Sequence, residues 1–305
     1  MTTDLKFAVN VNSFTNTGDF PGMLEFVRIA EQLGYHNVRF IDHVVGFAAD
    51  RHPEVPYTPY THQSHFHEVF TLMAYLAAIT KRITLVTGVL ALPQRQTALV
   101  AKQAAEVDLL SNGRLILGVG LGYNEVEFRA MGFNFKERAR RIEEQITVLR
   151  ALWTQELVTY RGEWHDLADV NINPLPVQRP IPIWMGAGRT ENPVPPDVVL
   201  NRIGRLADGW CPLFRIAEGA RTLDQAATDC IAKVRASAVQ AKRDPDTMSL
   251  ELGFFPASKS RTVQLDEIKS LREAGATHLH VRTEGANTAE HIDSLKRFRD
   301  VIDVL

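Results

Sequence analysis

Four apolar runs in this chain end in groups that carry chemistry. Phe40-Ile41-Asp42-His43 closes on a carboxylate and an imidazole, groups suited to moving a proton near neutral pH. Val86-Thr87-Gly88-Val89 closes on a hydroxyl, a glycine and a branched side chain. The run LILGVGLGYNE, Leu115 to Glu125, closes on three spaced glycines and then Tyr123, Asn124 and Glu125. Met185-Gly186-Ala187-Gly188-Arg189 brings glycine N–H groups that can receive a phosphate, with Arg189 adding charge. A large anionic cofactor lying across one face would use such a set.

The glycines of the third run invite a dinucleotide reading, which their spacing opposes. A dinucleotide fingerprint is G-x-G-x-x-G with an acid about 20 residues on, at the end of the next strand. Here the spacing is Gly118-x-Gly120-x-Gly122, and Tyr123 stands where the third glycine belongs. The stretch from Arg140 to Glu144 still reads as helix, so no second strand presents a ribose-binding acid. A Gly-Lys-Ser/Thr phosphate loop is absent too. The glycines instead let a strand turn tightly into a loop that carries Asn124 and Glu125.

Other candidates have plainer readings. His62-Gln63-Ser64-His65-Phe66-His67-Glu68 holds three histidines, but not in H-E-x-x-H spacing, so no metal is assigned. That segment reads as an active-site loop whose His67-Glu68 caps the next helix. His278 and His280 alternate with apolar neighbours and share one face of a strand; Cys211 reads as packing, with no histidine partner nearby. Glu106 and Asp108 read as surface or inter-helix pairs, and Trp153, Trp164 and Trp184 as core.

These groups must be positioned by a repeating unit. Strands are expected at Leu5–Val11, Asn37–Ile41, Ile83–Gly88, Leu115–Gly120, Ile181–Ala187, Gly209–Leu213, Ser249–Phe255 and His278–Arg282. Each is short and nearly continuously apolar, as in a parallel sheet buried on both faces. Between them lie amphipathic patterns at Phe20–Leu33, Val69–Ile79, Ala98–Leu110, Glu137–Trp153, Leu265–Ala274 and Thr288–Ile302. Eight strands, each followed by a helix, give an α/β chain of the (β/α)8 TIM-barrel type, with the doubly wound open sheet as runner-up. The chain reads as a single domain over 1–305. Insertions fall at about 44–66 and 154–180, the second a short hairpin plus a proline-rich connector.

Composition narrows the partners. Of 305 residues, 45% are hydrophobic and 23% charged, with a formal net charge of −2, so neither nucleic acid nor an anionic membrane is an expected partner. Two cysteines make no disulfide framework, and no run approaches the ~18 apolar residues of a membrane span. The sequence opening MTTDLKFAVNVNSF lacks a basic segment followed by an apolar one, so a cytoplasmic protein is expected.

Taken in order, Thr87-Gly88-Val89-Leu90-Ala91-Leu92-Pro93-Gln94-Arg95, AKQAAEVDLLSNGRLILGVGLGY, EEQITVLRALW, NPLPVQRPIPIWMGAG and ADGW at 207–210 resemble a known family. It is that of the bacterial luciferase-like monooxygenases and coenzyme F420-dependent oxidoreductases. The resemblance covers most of residues 5–215; beyond that the chain matches only as generic strand–helix units. It implies a (β/α)8 barrel binding FMN or the deazaflavin F420 at its C-terminal mouth, and a homodimer.

The resemblance places Asp42 and His43 beside the cofactor ring, with His43 as proton donor or acceptor. It matches Thr87-Gly88-Val89 to a bulge behind the ring, where members often carry a non-proline cis peptide. Gly120, Gly122 and Asn124 would line the ring and ribityl chain, and Gly186, Ala187, Gly188 and Arg189 the phosphate. Phe47, Tyr57, Tyr60 and Tyr123 would wall the substrate pocket. TGVLALPQR and the proline-rich connector resemble the F420 branch most, implying hydride transfer between reduced F420 and a small organic substrate. The alternatives are an FMN-dependent monooxygenase and a non-catalytic cofactor-binding protein. Tyr123 stands where the family's sugar-phosphate dehydrogenases have an acid, and Phe47 where they have a tryptophan; both count against a sugar phosphate.

Overall fold

The structure is a computed structural model, and it describes residues 5–55, 58, 60–189 and 191–302. Its eight main strands are β1 (Lys6–Asn10), β2 (Asn37–Phe40), β3 (Thr84–Thr87), β4 (Leu115–Gly120), β5 (Ile183–Ala187), β6 (Gly209–Pro212), β7 (Ser249–Phe254) and β8 (His278–Val281). They are parallel and alternate with helices, the (β/α)8 barrel expected from the sequence. Each lies within two residues of its expected bounds, because a strand covered on both faces must be apolar at nearly every position. In β4 every residue but Ile116 is buried.

The chain packs as two units, the first comprising the chain up to Val11, Asp19–Arg39 and everything from Trp184 onward. Within it β1 pairs with the first residues of β2 on one side and with β8 on the other, Ala8 lying opposite both Asn37 and His280. β8 pairs with β7, β7 with β6, and β6 with β5. Helices Phe20–Gln32, Asp197–Leu206, Gln225–Gln240, Arg261–Glu273 and Thr288–Ile302 belong to this unit. The sequence reading named neither the second nor the third. They pack so closely that a Cβ on Gly204 would stand 2.4 Å from Val234 O.

The second unit holds Asn12–Gly18 and Phe40–Ile183. Here β3 runs beside β4, Leu85 opposite Leu115. After a cis Gly88–Val89 peptide the chain pairs with β4 again, Leu90 opposite Val119 and Ala91 opposite Gly120. Helices Val69–Ile79, Thr97–Ser111 and Arg138–Thr154 cover it. Trp153 is fully buried and its indole N–H donates to Ala101 O at 3.0 Å; truncating such a ring costs about 3–5 kcal/mol. Val158–Arg161 and Asp166–Val170 form the antiparallel hairpin of the second irregular region.

Two expectations are corrected in this unit. Asp108 is not a surface acid: it is fully buried and accepts from Gln178 N at 2.9 Å and Gln178 Nε2 at 2.6 Å, fixing the connector. Trp164 is half-exposed on the hairpin turn rather than core. Its indole N–H reaches Glu137 Oε2 at 3.0 Å, and Arg140 lies over its ring.

Candidate active site

The second unit gathers the proton-handling groups. Asp42 and His43 follow directly on β2. Asp42 is 3% exposed, and protein groups take both of its oxygens: Arg95 Nη2 donates to Oδ1 at 2.5 Å and Ala91 N–H to Oδ2 at 3.3 Å. Burial pushes this carboxyl above the ordinary range, against the pull of Arg95. Asp42 thus ties the end of β2 to the segment that follows the cis peptide. Thr87 is likewise engaged, fully buried with its hydroxyl donating to Gly118 O at 2.6 Å, while Gly88 N–H donates to Phe40 O at 2.6 Å.

His43 is held differently. Its Nδ1 lies 3.1 Å from Glu127 Oε2, and Glu127 Oε1 accepts from the Val44 amide at 2.5 Å. Burial raises the Glu127 carboxyl, but the bonds from His43 and from the Val44 and Val45 amides outweigh it and set the group below its usual range. Glu127 is therefore a carboxylate at neutral pH and accepts from His43 Nδ1–H, the tautomer that leaves Nε2 its acceptor lone pair. Among the described residues nothing hydrogen-bonds to that Nε2.

The local sequence explains Glu127. Gly122 turns the chain at φ +71°, a left-handed conformation, with Phe128 packed against it. Asn124 is 2% exposed and extended; its Oδ1 accepts from the Val126 and Glu127 amides at 3.1 and 3.3 Å. That N-cap starts the short helix Glu125–Ala130 and sets Glu127 in its first turn, 1% exposed. Asn124, expected to line a cofactor, spends its side-chain carbonyl on this cap.

Aromatic rings surround the imidazole: Phe66 at 4.8 Å, Tyr60 at 5.4 Å and Tyr123 at 5.8 Å between centroids. Thr58 Oγ1 donates to Tyr60 O at 2.7 Å and lies 3.2 Å from the Tyr123 hydroxyl, so Tyr123 clasps the irregular loop. Phe47 is buried edge-on against His52 in that loop, and Tyr57 lies outside the described residues. His65 N–H donates to Thr15 O, and Glu68 caps the helix by accepting from Thr71 N at 2.7 Å.

The phosphate candidates lie in the first unit. Gly186 and Ala187 end β5 half-buried, Gly188 follows at φ +94°, and Arg189 is exposed. The Arg189 amide is already bonded to Asn192 O at 3.0 Å, and Gly186 and Ala187 pair in register with Cys211 and Pro212 of β6. The same unit carries a buried polar set on one face of its sheet. Arg39 Nη1 donates to Glu251 Oε1 at 2.5 Å, and Asn10 Nδ2 to His280 Nε2 at 2.7 Å; Cys211 is buried beside Arg39. His278 and His280 share that face as expected, His278 stacking edge-on with Trp184 at 4.8 Å.

Against known proteins, the model of the luciferase-like monooxygenases matches residues 6–300. The chain belongs to that family. An uncharacterized Mycobacterium tuberculosis protein is 34% identical over 197 residues, 63% of this chain and 65% of that one. An F420-dependent glucose-6-phosphate dehydrogenase of Amycolatopsis mediterranei is 33% identical over 193 residues, 62% of this chain and 52% of the relative. The chain thus matches less than two thirds of the length of these relatives. An F420-dependent secondary alcohol dehydrogenase, solved with an F420–acetone adduct, superposes with a TM-score of 0.73 at 18% identity over 99% of both chains. That last likeness is one of fold.

In this luciferase-like chain Glu127 is the functional candidate that the sequence reading missed. The signal was Asn124-x-x-Glu127, a cap followed three residues later by an acid. Such an acid ordinarily reaches back to its own cap; here it reaches Val44 and His43 instead.

Proposed function

We propose that this chain is an oxidoreductase that moves a hydride between F420 and a small organic substrate, with His43 handling the accompanying proton. The observation that carries the reading is the His43–Glu127 pair, in which an ionised carboxylate fixes the imidazole and leaves Nε2 for chemistry. The named F420-dependent relative supports the choice of cofactor.

The residues present fit such a cofactor. A flat redox ring needs bare backbone at its edge, and Gly88 and Gly122, both half-buried, supply it just after β3 and β4. It also needs one proton-handling side chain, which His43 supplies. Bound F420 supplies the hydride acceptor or donor.

The rest falls to the protein. When a hydroxyl-bearing carbon is oxidised, Nε2 takes the hydroxyl proton as hydride leaves the carbon; in the reverse direction the same atom returns it. Glu127 stabilises the imidazolium formed in between. Asp42, with both oxygens bonded, positions the strand ends rather than touching substrate. Tyr60, Phe66 and Tyr123 exclude water from the imidazole.

Titration of the purified chain with F420 and with FMN tests the cofactor. Saturable F420 binding, with loss of hydride transfer in His43→Ala, is the expected result. Binding of FMN without F420 moves the chain to the oxygen-using alternative, and full turnover in His43→Ala removes His43 from the chemistry.

A further inference from the structure

A cavity of about 430 Å³ opens in the first unit among residues that the proposed reaction does not use. Its walls are the loop that follows β7, the start of helix Arg261–Glu273, Glu284 in the loop after β8, and the second half of helix Thr288–Ile302. That volume is in the range of small-molecule sites. The protein braces the walls itself. Gln264 Nε2 donates to Pro256 O and Lys259 O, both at 3.0 Å, and Lys259 Nζ donates to the two oxygens of Glu267 at 2.7 and 2.8 Å. These bonds fix the loop on its own helix, so a ligand would have little left to order.

The buried part of the lining is apolar: Pro256, Phe298 and Val301, with Phe298 packed on Phe254 at 5.1 Å between ring centroids. The exposed part carries charges of both signs, Arg261 and Arg297 against Glu284 and Asp300. These charges do not neutralise one another. Arg261 donates to the Asp300 main-chain carbonyl at 3.2 Å. Among the described residues the Arg297 guanidinium and the Glu284 and Asp300 carboxylates have no hydrogen-bond or ion-pair partner. On the same helix Asp293 and Lys296, three residues apart, do close, to 3.4 Å. Arg297 and Asp300 have the same spacing and line the cavity unpaired. Ser294 Oγ accepts from Glu284 N at 3.2 Å and keeps its own proton to donate.

We propose that this cavity binds a free α-amino acid with an apolar side chain. The side chain lies on Phe298 and Val301, Arg261 and Arg297 take the carboxylate, and Glu284 and Asp300 take the ammonium. A simple anion would meet two carboxylates and a simple cation two guanidiniums; a zwitterion satisfies both sets. Guanidinium and carboxylate also bond in a bidentate fork, which orients the ligand as well as holding it. The site is separate in its residues from the proposed reaction and does not depend on which cofactor the chain takes.

The test needs no turnover. The full chain is titrated with L-leucine, and binding is read by calorimetry and as a saturable rise in Tm. N-acetyl-L-leucine, which lacks the ammonium, and L-leucinamide, which lacks the carboxylate, are titrated beside it. Saturable binding of L-leucine is expected, with each analogue roughly 10-fold weaker or more for the lost charge-assisted contact. Arg297→Gln and Glu284→Gln should each weaken L-leucine by a similar factor, and the double variant should abolish binding. Both positions are exposed, so the variants should fold as wild type does. Arg272→Gln, at an exposed arginine of the same unit outside the cavity, should bind as wild type does. Absence of saturable L-leucine binding in the wild type overturns the proposal, as does its survival in the double variant. Equal binding of either analogue also overturns it, because one of the two charge contacts is then not made.

Discussion

His43 Nδ1 and Glu127 Oε2 lie 3.1 Å apart although 84 residues separate them, one just beyond β2 and the other in the first turn of the helix after β4. The contact makes Glu127 a positioning residue acting through the imidazole. Glu127→Gln should lower kcat about 10–100-fold with little change in KM or in F420 affinity. His43→Ala should cost more, about 100–10,000-fold. The Glu127 carboxyl is held below its usual range, so the unfolded chain binds the extra proton and the stabilisation is present above the ordinary glutamate range. Wild type should exceed Glu127→Gln in urea stability at pH 7, and the gap should close as the pH falls through the folded carboxyl's lowered range. A gap that widens on acidification would contradict the assignment.

Asp42 and Arg95 form a buried ion pair, their side chains 1% and 10% exposed. Removing one partner strands a charge in the interior. Arg95→Met should therefore cost about 3–5 kcal/mol in urea denaturation, and the double variant Asp42→Leu/Arg95→Met should recover much of it. Additive losses in that cycle would mean that the two side chains are not coupled.

The strands were legible because burial on both faces forces apolar residues at nearly every position, as in Leu115–Gly120. Asp42, His43 and the glycine turns were legible because they sit where those runs stop. Asp42's engagement was not, since the partner Arg95 is 53 residues away and its side chain looks like any surface cation. Glu127 hid for a related reason: an acid in a first helical turn is ordinarily read as a complement to the helix dipole. Helix Asp197–Leu206 hid behind the proline-rich ENPVPP that precedes it, because its N-cap is Pro196 rather than one of the Ser, Thr, Asp or Asn caps that mark a helix start. Asp108 looked like a surface charge because the connector residue that buries it, Gln178, is 70 positions away.

Gly122 adopts φ +71°, and a Cβ there would stand 2.9 Å from Phe128 Cε2 and 3.3 Å from the Ala91 Cβ. Gly122→Ala should lose about 1–2 kcal/mol from the backbone conformation alone, with the ring contact adding to it. Because Gly122 enters the turn that delivers Asn124 and Glu127, the variant should also lose kcat in proportion to Glu127→Gln. A stable, fully active alanine variant would show that the turn does not set the dyad.

His278 and His280 are both held down to about 3, burial being the first cause in each, with Lys6 and His36 adding to the first and Arg39 and Arg282 to the second. Their unfolded values lie near 6.5, so between about pH 6.5 and pH 3 the unfolded chain binds a proton at each site that the folded chain does not. Stability conferred by the neutral rings is complete above about pH 6.5 and is lost as the pH falls. Each histidine should contribute a slope of about 1.4 kcal/mol per pH unit across that window. Urea denaturation at pH 7, 6, 5 and 4 should show this decline, and His280→Asn should flatten it by one proton's worth while keeping a side-chain partner for Asn10. If the variant declines as steeply as wild type, His280 is not titrating between the two states.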